Sequence, residues 1–138
     1  MIRSRNHGFT LIEVMVAVAI VGILSFLAVY MFQTYSSKAK VSAGVSELKS
    51  ISVRYDALHV GGYGNPSLAD LEVTDSNRCK FSINSVLDDQ VSITCELVNV
   101  FGPLAGGILT YSKSADGRWK CSANEVLASD VLPVGCKL

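Results

Sequence analysis

Four cysteines are the residues of this sequence most able to form covalent cross-links: Cys79, Cys95, Cys121 and Cys136. All four follow one long apolar stretch, and none precedes it. A structural zinc site usually takes cysteines in paired C-x2-C spacing or a mixture of cysteine and histidine. No such pair occurs here, and His59 is the only histidine in this part of the chain. The even cysteine count therefore predicts two disulfides in an oxidising compartment, and we expect neither a metal nor a cofactor.

The remaining candidates for catalysis do not form a catalytic set. Catalysis by side chains needs a nucleophile beside a base, a paired acid and base, or a metal. His59 falls at a predicted helix end, and the pair Asp88-Asp89 has no partner histidine and suits a turn. The run Gly61-Gly62-Tyr63-Gly64 lacks the lysine of a phosphate-binding loop. The sequence therefore predicts that this protein is not an enzyme.

A single acidic residue, Glu13, is the only charge within residues 9–32. As a helix this stretch would rise about 35 Å, which is enough to cross a hydrocarbon core of ~30 Å. A cleaved secretory signal is the alternative, but the apolar run is longer than such signals have and no small-x-small cleavage site closes it. A carboxylate within a membrane helix costs about 3 kcal/mol and usually marks function. Glu13 is therefore a candidate functional residue.

The composition agrees with one membrane segment followed by one soluble domain. The chain has 138 residues, of which 49% are hydrophobic and 17% charged, and its mean hydropathy is +0.36. Because 12 basic residues balance 12 acidic ones, bulk charge gives no indication of nucleic-acid binding, and the apolar content excludes a disordered chain. Arg3 and Arg5 precede the apolar stretch, which keeps the N-terminus cytoplasmic and places the residues after about position 33 across the membrane.

The elements that position these residues begin with one predicted helix over residues 9–60. No proline interrupts this stretch, and Gly61-Gly62 supplies a stop signal. Its second half is amphipathic, with apolar residues at steps of three and four: Val41, Val45, Leu48, Ile51, Tyr55 and Leu58. A helix of this length needs partners along its first half.

Alternating apolar and polar residues predict two β-hairpins after a loop at residues 61–77. In the first, if residue 85 pairs with residue 89, Cys79 faces Cys95 on the core side, so the register offers one disulfide. In the second, residues 108–113 and 118–122 flank an Asp116-Gly117 turn. We expect an α+β fold in which the long helix packs on a four-stranded antiparallel sheet.

The N-terminal run Gly8-Phe9-Thr10-Leu11-Ile12-Glu13, after a short basic leader, resembles the class III leader of type IV prepilins and pseudopilins. The resemblance implies that a prepilin peptidase cuts after Gly8 and methylates the new amine of Phe9. It divides the chain into a leader at residues 1–8, a membrane and assembly helix at residues 9–35, and a head at residues 36–138. It also implies an inner-membrane precursor with a periplasmic head, which an inner-membrane assembly platform builds into an extracellular pilus.

The C-terminal sequence resembles the disulfide-bounded region of type IVa pilins, through Gly117-x-Trp119-x-Cys121 and Leu132-Pro133-x-x-Cys136. This likeness implies a Cys121–Cys136 disulfide, with Cys79–Cys95 as an addition to the minimal family pattern. Type II secretion pseudopilins share the N-terminal half but generally end in a calcium site. Residues 124–138 contain only two acidic residues, Glu125 and Asp130, which favours a pilin.

Glu13 has two interpretations once the leader is removed. It complements the N-terminus of its own helix, a gain of about 0.3–1 kcal/mol, or it attracts the Phe9 amine of a neighbouring subunit and sets the register of a helical bundle. The family resemblance implies the second role, which we favour because the local gain is small beside the cost of burying the charge.

The expected function is therefore that of a structural subunit, most simply the major one, of a type IV pilus that is a helical homo-oligomer. Such a filament serves surface functions such as twitching motility, adhesion or DNA uptake. A minor pilin or a type II secretion pseudopilin is the alternative within the family. A membrane-anchored periplasmic binding module that never polymerises is the alternative of another class. One departure from the family is Tyr30, at a position where a proline often interrupts the membrane helix.

Overall fold

The computed structural model describes residues 8–86, 90–100 and 102–138, in two compact units that divide between Tyr35 and Ser36. Several residues considered above lie outside the described ranges: Arg3, Arg5 and the pair Asp88-Asp89. Helix α1, Leu11–Leu58, begins in the first unit and ends in the second. It passes through Gly22 and Tyr30 without interruption.

The C-terminal end of α1 differs slightly from the prediction. The helix stops at Leu58 and is followed by a wider π-type turn, His59–Tyr63. Gly62 within that turn has a φ of 93°, a left-handed conformation that glycine adopts without the steric cost of a Cβ atom. The Gly61-Gly62 pair therefore ends the helix as expected, a little earlier than residue 60.

Over its described residues, the head contains a five-stranded sheet rather than the predicted four. Its strands lie in the order β1 (Cys79–Val86), β2 (Gln90–Leu97), β3 (Ile108–Lys113), β4 (Trp119–Ala123) and β5 (Cys136–Lys137). The first four are antiparallel, whereas β5 runs parallel to β4 with Cys136 beside Cys121. Because β5 has only two residues, no alternation in the sequence could reveal it.

The predicted register of the first hairpin was wrong by two residues. Cys79 pairs with Leu97, Phe81 with Cys95 and Ser85 with Val91, while Val86 pairs with Gln90. A two-residue shift leaves every side chain on the same face, so the apolar alternation cannot exclude it. Cys79 and Cys95 still form a disulfide, now between diagonal neighbours whose Cα atoms are 5.1 Å apart. The second disulfide joins the directly paired Cys121 and Cys136.

The core lies between one stripe of α1 and the inner face of the sheet. Gly44 belongs to this stripe, and a Cβ atom there would lie 3.1 Å from Leu109 Cδ1 and 3.4 Å from Cys79 Sγ. The absence of a side chain therefore lets the helix backbone approach the buried disulfide closely. The helical residues that are buried with Gly44 include most of the predicted stripe: Val41, Leu48, Ile51, Ser52 and Tyr55.

Asp56 ties the same helix to two strands. Its carboxylate accepts hydrogen bonds from Lys113 Nζ in β3 and from Trp119 Nε1 in β4, each at 2.8 Å. Trp119 also stacks on Tyr111 and meets Tyr55 edge-on. This network fixes the C-terminal part of α1 over the last antiparallel strand pair.

A second polar link joins Glu47 of α1 to the segment that leads into β1. Arg78 Nη1 donates to Glu47 Oε1 at 2.9 Å, and Ser76 Oγ donates to Glu47 Oε2 at 2.8 Å. In the loop before this segment, the hydroxyl and amide of Ser67 donate to Asp70, which lowers the pKa of Asp70. The loop at residues 61–77 is thus an ordered connection.

We expect Asp56→Ala to lower the free energy of unfolding by about 1–3 kcal/mol, because Lys113 and Trp119 then lose their shared acceptor. The Lys113 side chain is only 15% exposed, so water replaces the acceptor poorly. Denaturant unfolding of the full chain in detergent, followed by the fluorescence of its single tryptophan, measures the change. Asp130→Ala removes an exposed carboxylate and should change the free energy by less than about 0.5 kcal/mol. Equal midpoints for the two variants would show that the Asp56 network is not stabilising.

Peptide mapping without reduction should recover Cys79 linked to Cys95 and Cys121 linked to Cys136. Each disulfide closes a loop of about 15 residues, for which the chain-entropy model gives about 3 kcal/mol of stabilisation. The double variant Cys121→Ser, Cys136→Ser should therefore unfold at clearly lower denaturant concentration. A peptide that joins Cys79 to Cys121 would contradict the strand register.

Candidate assembly and processing site

The first part of α1 presents apolar side chains on every face. All residues from 9 to 32 are exposed in the isolated chain, and the helix is long and apolar enough to cross a membrane, with a mean hydropathy of 2.6 in its most apolar window. A helix that is apolar all round is stable only inside lipid or among other apolar helices. An exposed apolar area of this extent marks a membrane or protein contact surface. This segment therefore needs a partner that the single chain does not contain.

Glu13 and Thr10 form a capping box at the start of α1. The backbone N–H and the hydroxyl of Thr10 donate to Glu13 Oε2 at 2.8 Å and 2.7 Å. The backbone N–H of Glu13 lies 3.4 Å from Thr10 Oγ1 in the reciprocal direction. Such a pair satisfies backbone donors that have no partner within the first helical turn. Thr10 was missed as a site residue above, although the T-x-x-E pattern before an apolar run is the sequence signal for this motif.

The capping box leaves the Oε1 atom of Glu13 available for a further hydrogen bond or ion pair. Both Thr10 hydrogen bonds end on Oε2, and among the described residues no donor contacts Oε1. Among residues 8–86, 90–100 and 102–138, no basic side chain lies within ion-pair distance of this carboxylate. Residues 9–37 contain no lysine, arginine or histidine, so this stretch has no side-chain partner for the charge.

The peptide bond between Gly8 and Phe9 lies just before the helix. Both residues are exposed, Phe9 at 87%, and α1 begins two residues later at Leu11. A bond in non-helical, exposed backbone is accessible to a protease, whereas a bond within the helix is protected by the hydrogen-bond ladder. The predicted cleavage position thus lies outside the helix.

The C-terminal loop connects β4 to β5, the strand at one edge of the sheet. Its residues Leu127 and Val131 are buried in the core, and the Cys121–Cys136 disulfide joins its ends. Asn124 fastens the loop to the start of β3: its side-chain oxygen accepts from Ile108 N at 3.0 Å, and its amide donates to Gly106 O at 2.9 Å. This edge is therefore held by both covalent and polar links.

His59 and the potential metal ligands, the other candidates for chemistry, have structural roles or are not grouped into a site. His59 stacks on Tyr55, and its Nδ1 contacts the carbonyl oxygen of Gly64, so its ring fastens the turn after α1. Within residues 8–86, 90–100 and 102–138, no group of three or more His, Cys, Asp or Glu side chains is placed to hold a metal. The sequence-predicted site residues thus fall in two places, the helix start with Gly8, Phe9 and Glu13, and the two disulfides of the head.

Family models match almost the whole chain. Residues 3–29 match the prokaryotic N-terminal methylation motif, and residues 37–137 match the pilin family of bacterial filaments. A fimbrial protein of Pseudomonas aeruginosa is 32% identical over 84% of each chain. Fimbrial protein Q of Moraxella bovis is 30% identical over 97% of this chain and 99% of its own.

Two further comparisons also indicate a pilin. The type IV major fimbrial protein FimA of Dichelobacter nodosus is 26% identical over 98% of this chain and 99% of its own. The crystal structure of a Cs1 pilin chimera has the same fold, with a TM-score of 0.62 over 75% of this chain and 98% of that structure at 15% identity. These relatives are structural proteins rather than enzymes, as the sequence predicts. The chain therefore belongs to the pilin family, as a membrane-anchored precursor that is assembled into an extracellular pilus.

Proposed function

We propose that this chain is the major subunit of a type IV pilus, which polymerises through residues 9–35 and serves surface functions such as twitching motility, adhesion or DNA uptake. The observation that carries the proposal is the fully exposed apolar helix with Glu13 as its single charge. The relatives named type IV major fimbrial proteins support a major rather than a minor subunit.

The proposed division of the chain has three parts. Residues 1–8 are the leader, residues 9–35 the membrane and assembly helix, and residues 36–138 the head. The boundary between the two compact units, after Tyr35, supports the second division. From Val41 onward α1 buries one face within the head, which supports a head that folds the same way in the precursor and in the filament.

Processing supplies the one cation that the assembly helix lacks. Cleavage between Gly8 and Phe9 by the prepilin peptidase creates a charged amine, and N-methylation keeps that charge. Because residues 9–37 contain no basic side chain, the Phe9 amine is the nearest positive group that a buried Glu13 can meet. An unpaired carboxylate in a low-dielectric bundle costs several kcal/mol, so pairing stabilises the packed state relative to unpaired alternatives.

The capping box supports the proposed pairing between subunits. Within its own chain, Glu13 already receives both Thr10 donors on Oε2. The Oε1 atom then meets the Phe9 amine of a neighbouring subunit, and this contact sets the axial stagger of the helices. The assembly platform in the inner membrane delivers each subunit to this position.

We expect surface filaments to contain a chain that begins at Phe9 with one added methyl group, as measured by intact mass and N-terminal sequencing. Gly8→Arg should leave the full-length precursor in the inner membrane. Gly22→Ala is the matched control, because a Cβ atom at either glycine meets nothing within 4 Å in the subunit. Retention of Met1 in filaments, or normal assembly of Gly8→Arg, would refute the processing step.

We expect Glu13→Gln to assemble poorly, since it removes the charge but keeps a residue that suits the capping box. Thr10→Ala is the converse variant, which removes the hydroxyl of the cap and keeps the charge, and it should assemble almost normally. Each variant is expressed together with the wild type, and its share of the filaments is compared with its share of the membrane pool. Equal shares for Glu13→Gln, or selective loss of Thr10→Ala, would reduce Glu13 to a local helix cap.

A further inference from the structure

A pocket of about 280 Å³ lies in the head, where β1 begins and β2 ends. The polar residues that line it include the basic Lys40 and Arg78 together with Asn77. The apolar residues that line it are Leu97, Val98 and Val100. Basic and amide residues are suited to an anion, whereas apolar lining residues are suited to a hydrocarbon group attached to that anion.

The backbone that lines this pocket is fixed by hydrogen bonds between its two segments. Val98 N donates to Arg78 O at 2.8 Å, and Asn99 Nδ2 donates to Asn77 O at 2.9 Å. Asn99 has a φ of 55°, a left-handed conformation that turns the chain after β2. The pocket is therefore formed before any ligand binds, and binding does not require its segments to be ordered.

The two cations differ in their partners. Arg78 forms an ion pair with Glu47 through Oε1, and the other oxygen of Glu47 accepts a hydrogen bond from Ser76. Both oxygens of this carboxylate therefore already have a partner. Among the described residues, no carboxylate lies within ion-pair distance of Lys40 or of the preceding Lys38. The pocket thus has a positive charge, that of Lys40, which no described carboxylate of the head neutralises.

Chain connectivity keeps this pocket close to the membrane in the precursor. Lys40 lies only five residues after Tyr35, and no charge occurs between Glu13 and Lys38. Tyr30 and Tyr35 are exposed aromatic residues of the kind that mark the membrane interface. Lys40, and with it the pocket, is therefore separated from the predicted membrane interface by only a short stretch of chain.

We propose that this pocket binds an anionic phospholipid of the outer leaflet of the inner membrane while the chain is a precursor, a proposal that rests on the topology proposed above. Lys40 and Asn77 contact the phosphate, and Arg78 adds positive charge beside it. The half-buried Val98 and Val100 contact the glycerol and the first acyl carbons. The lipid thereby holds the head against the membrane until a neighbouring subunit takes its place.

The test uses the full precursor, one copy per nanodisc, in phosphatidylcholine alone or with phosphatidylglycerol added. Amide hydrogen exchange by mass spectrometry reads the segments at residues 77–78 and 97–100. In the wild type, phosphatidylglycerol should slow exchange of these segments roughly tenfold. Lys40→Gln should abolish the slowing. Lys49→Gln removes an equal charge from an exposed position outside the pocket and should keep it.

Three outcomes would overturn the lipid site. If Lys40→Gln and Lys49→Gln lose the protection from exchange equally, the head is attracted to any anionic surface and the pocket is not a lipid site. The same protection from inorganic phosphate in phosphatidylcholine nanodiscs would assign the pocket to a free anion. Protection that needs two copies per nanodisc, without phosphatidylglycerol, would assign it to a second subunit.

Protease accessibility of the head in sealed vesicles separates this proposal from the proposed function. If the head and the N-terminus lie on the same side of the membrane, the proposed topology is wrong. The lipid site, which rests on that topology, is then wrong as well. If the topology and filament assembly are normal but phosphatidylglycerol gives no protection, only the lipid site is wrong.

Discussion

The apolar surface of the first part of α1 is the constraint on which the rest of the molecule depends. A helix with exposed apolar side chains from residue 9 to residue 32 is not stable in water, so the chain must keep this segment in lipid or among copies of itself. The same subunit occupies both environments in turn, first as a membrane precursor and then in a pilus. The head must therefore hold its own fold in both states, because the assembly helix changes its partners while the head is retained.

The head meets this requirement with links of different physical kinds. Burial of one face of α1 on the sheet supplies the apolar contacts, and Gly44 lets the helix approach the Cys79–Cys95 disulfide. Asp56 and Glu47 join the helix to the sheet by hydrogen bonds at separate points along its length. The second disulfide holds the C-terminal loop, whose two-residue strand has too few hydrogen bonds to remain in place alone. Together these links hold the head in its fold without any contact to the membrane.

Glu13 caps its own helix, and in the proposed filament it also takes part in assembly. Its Oε2 atom completes a capping box with Thr10, which helps to begin α1 next to the cleavage position. In the proposed filament its remaining oxygen and its charge meet the amine that cleavage creates. The two roles are compatible because they use different atoms, and the separate variants Glu13→Gln and Thr10→Ala distinguish them. In this proposal, processing converts an isolated negative charge in an apolar helix into one half of an ion pair.

The sequence by itself determined the features that depend on local pattern: the membrane-length helix, its amphipathic continuation and the strands β1 to β4. The cysteine partners did not follow from local pattern, because Cys79–Cys95 rested on an assumed register and Cys121–Cys136 on the family resemblance. The Thr10 cap was also readable, since it depends on residues three apart. Only the tertiary structure decided the register of the first hairpin, the parallel strand β5 and the links made by Asp56 and Gly44. Alternation with a period of two specifies which face a side chain occupies but not which residue it opposes. Asp56 meets Lys113 and Trp119 from 57 and 63 residues away, and such contacts exist only once the helix lies on the sheet.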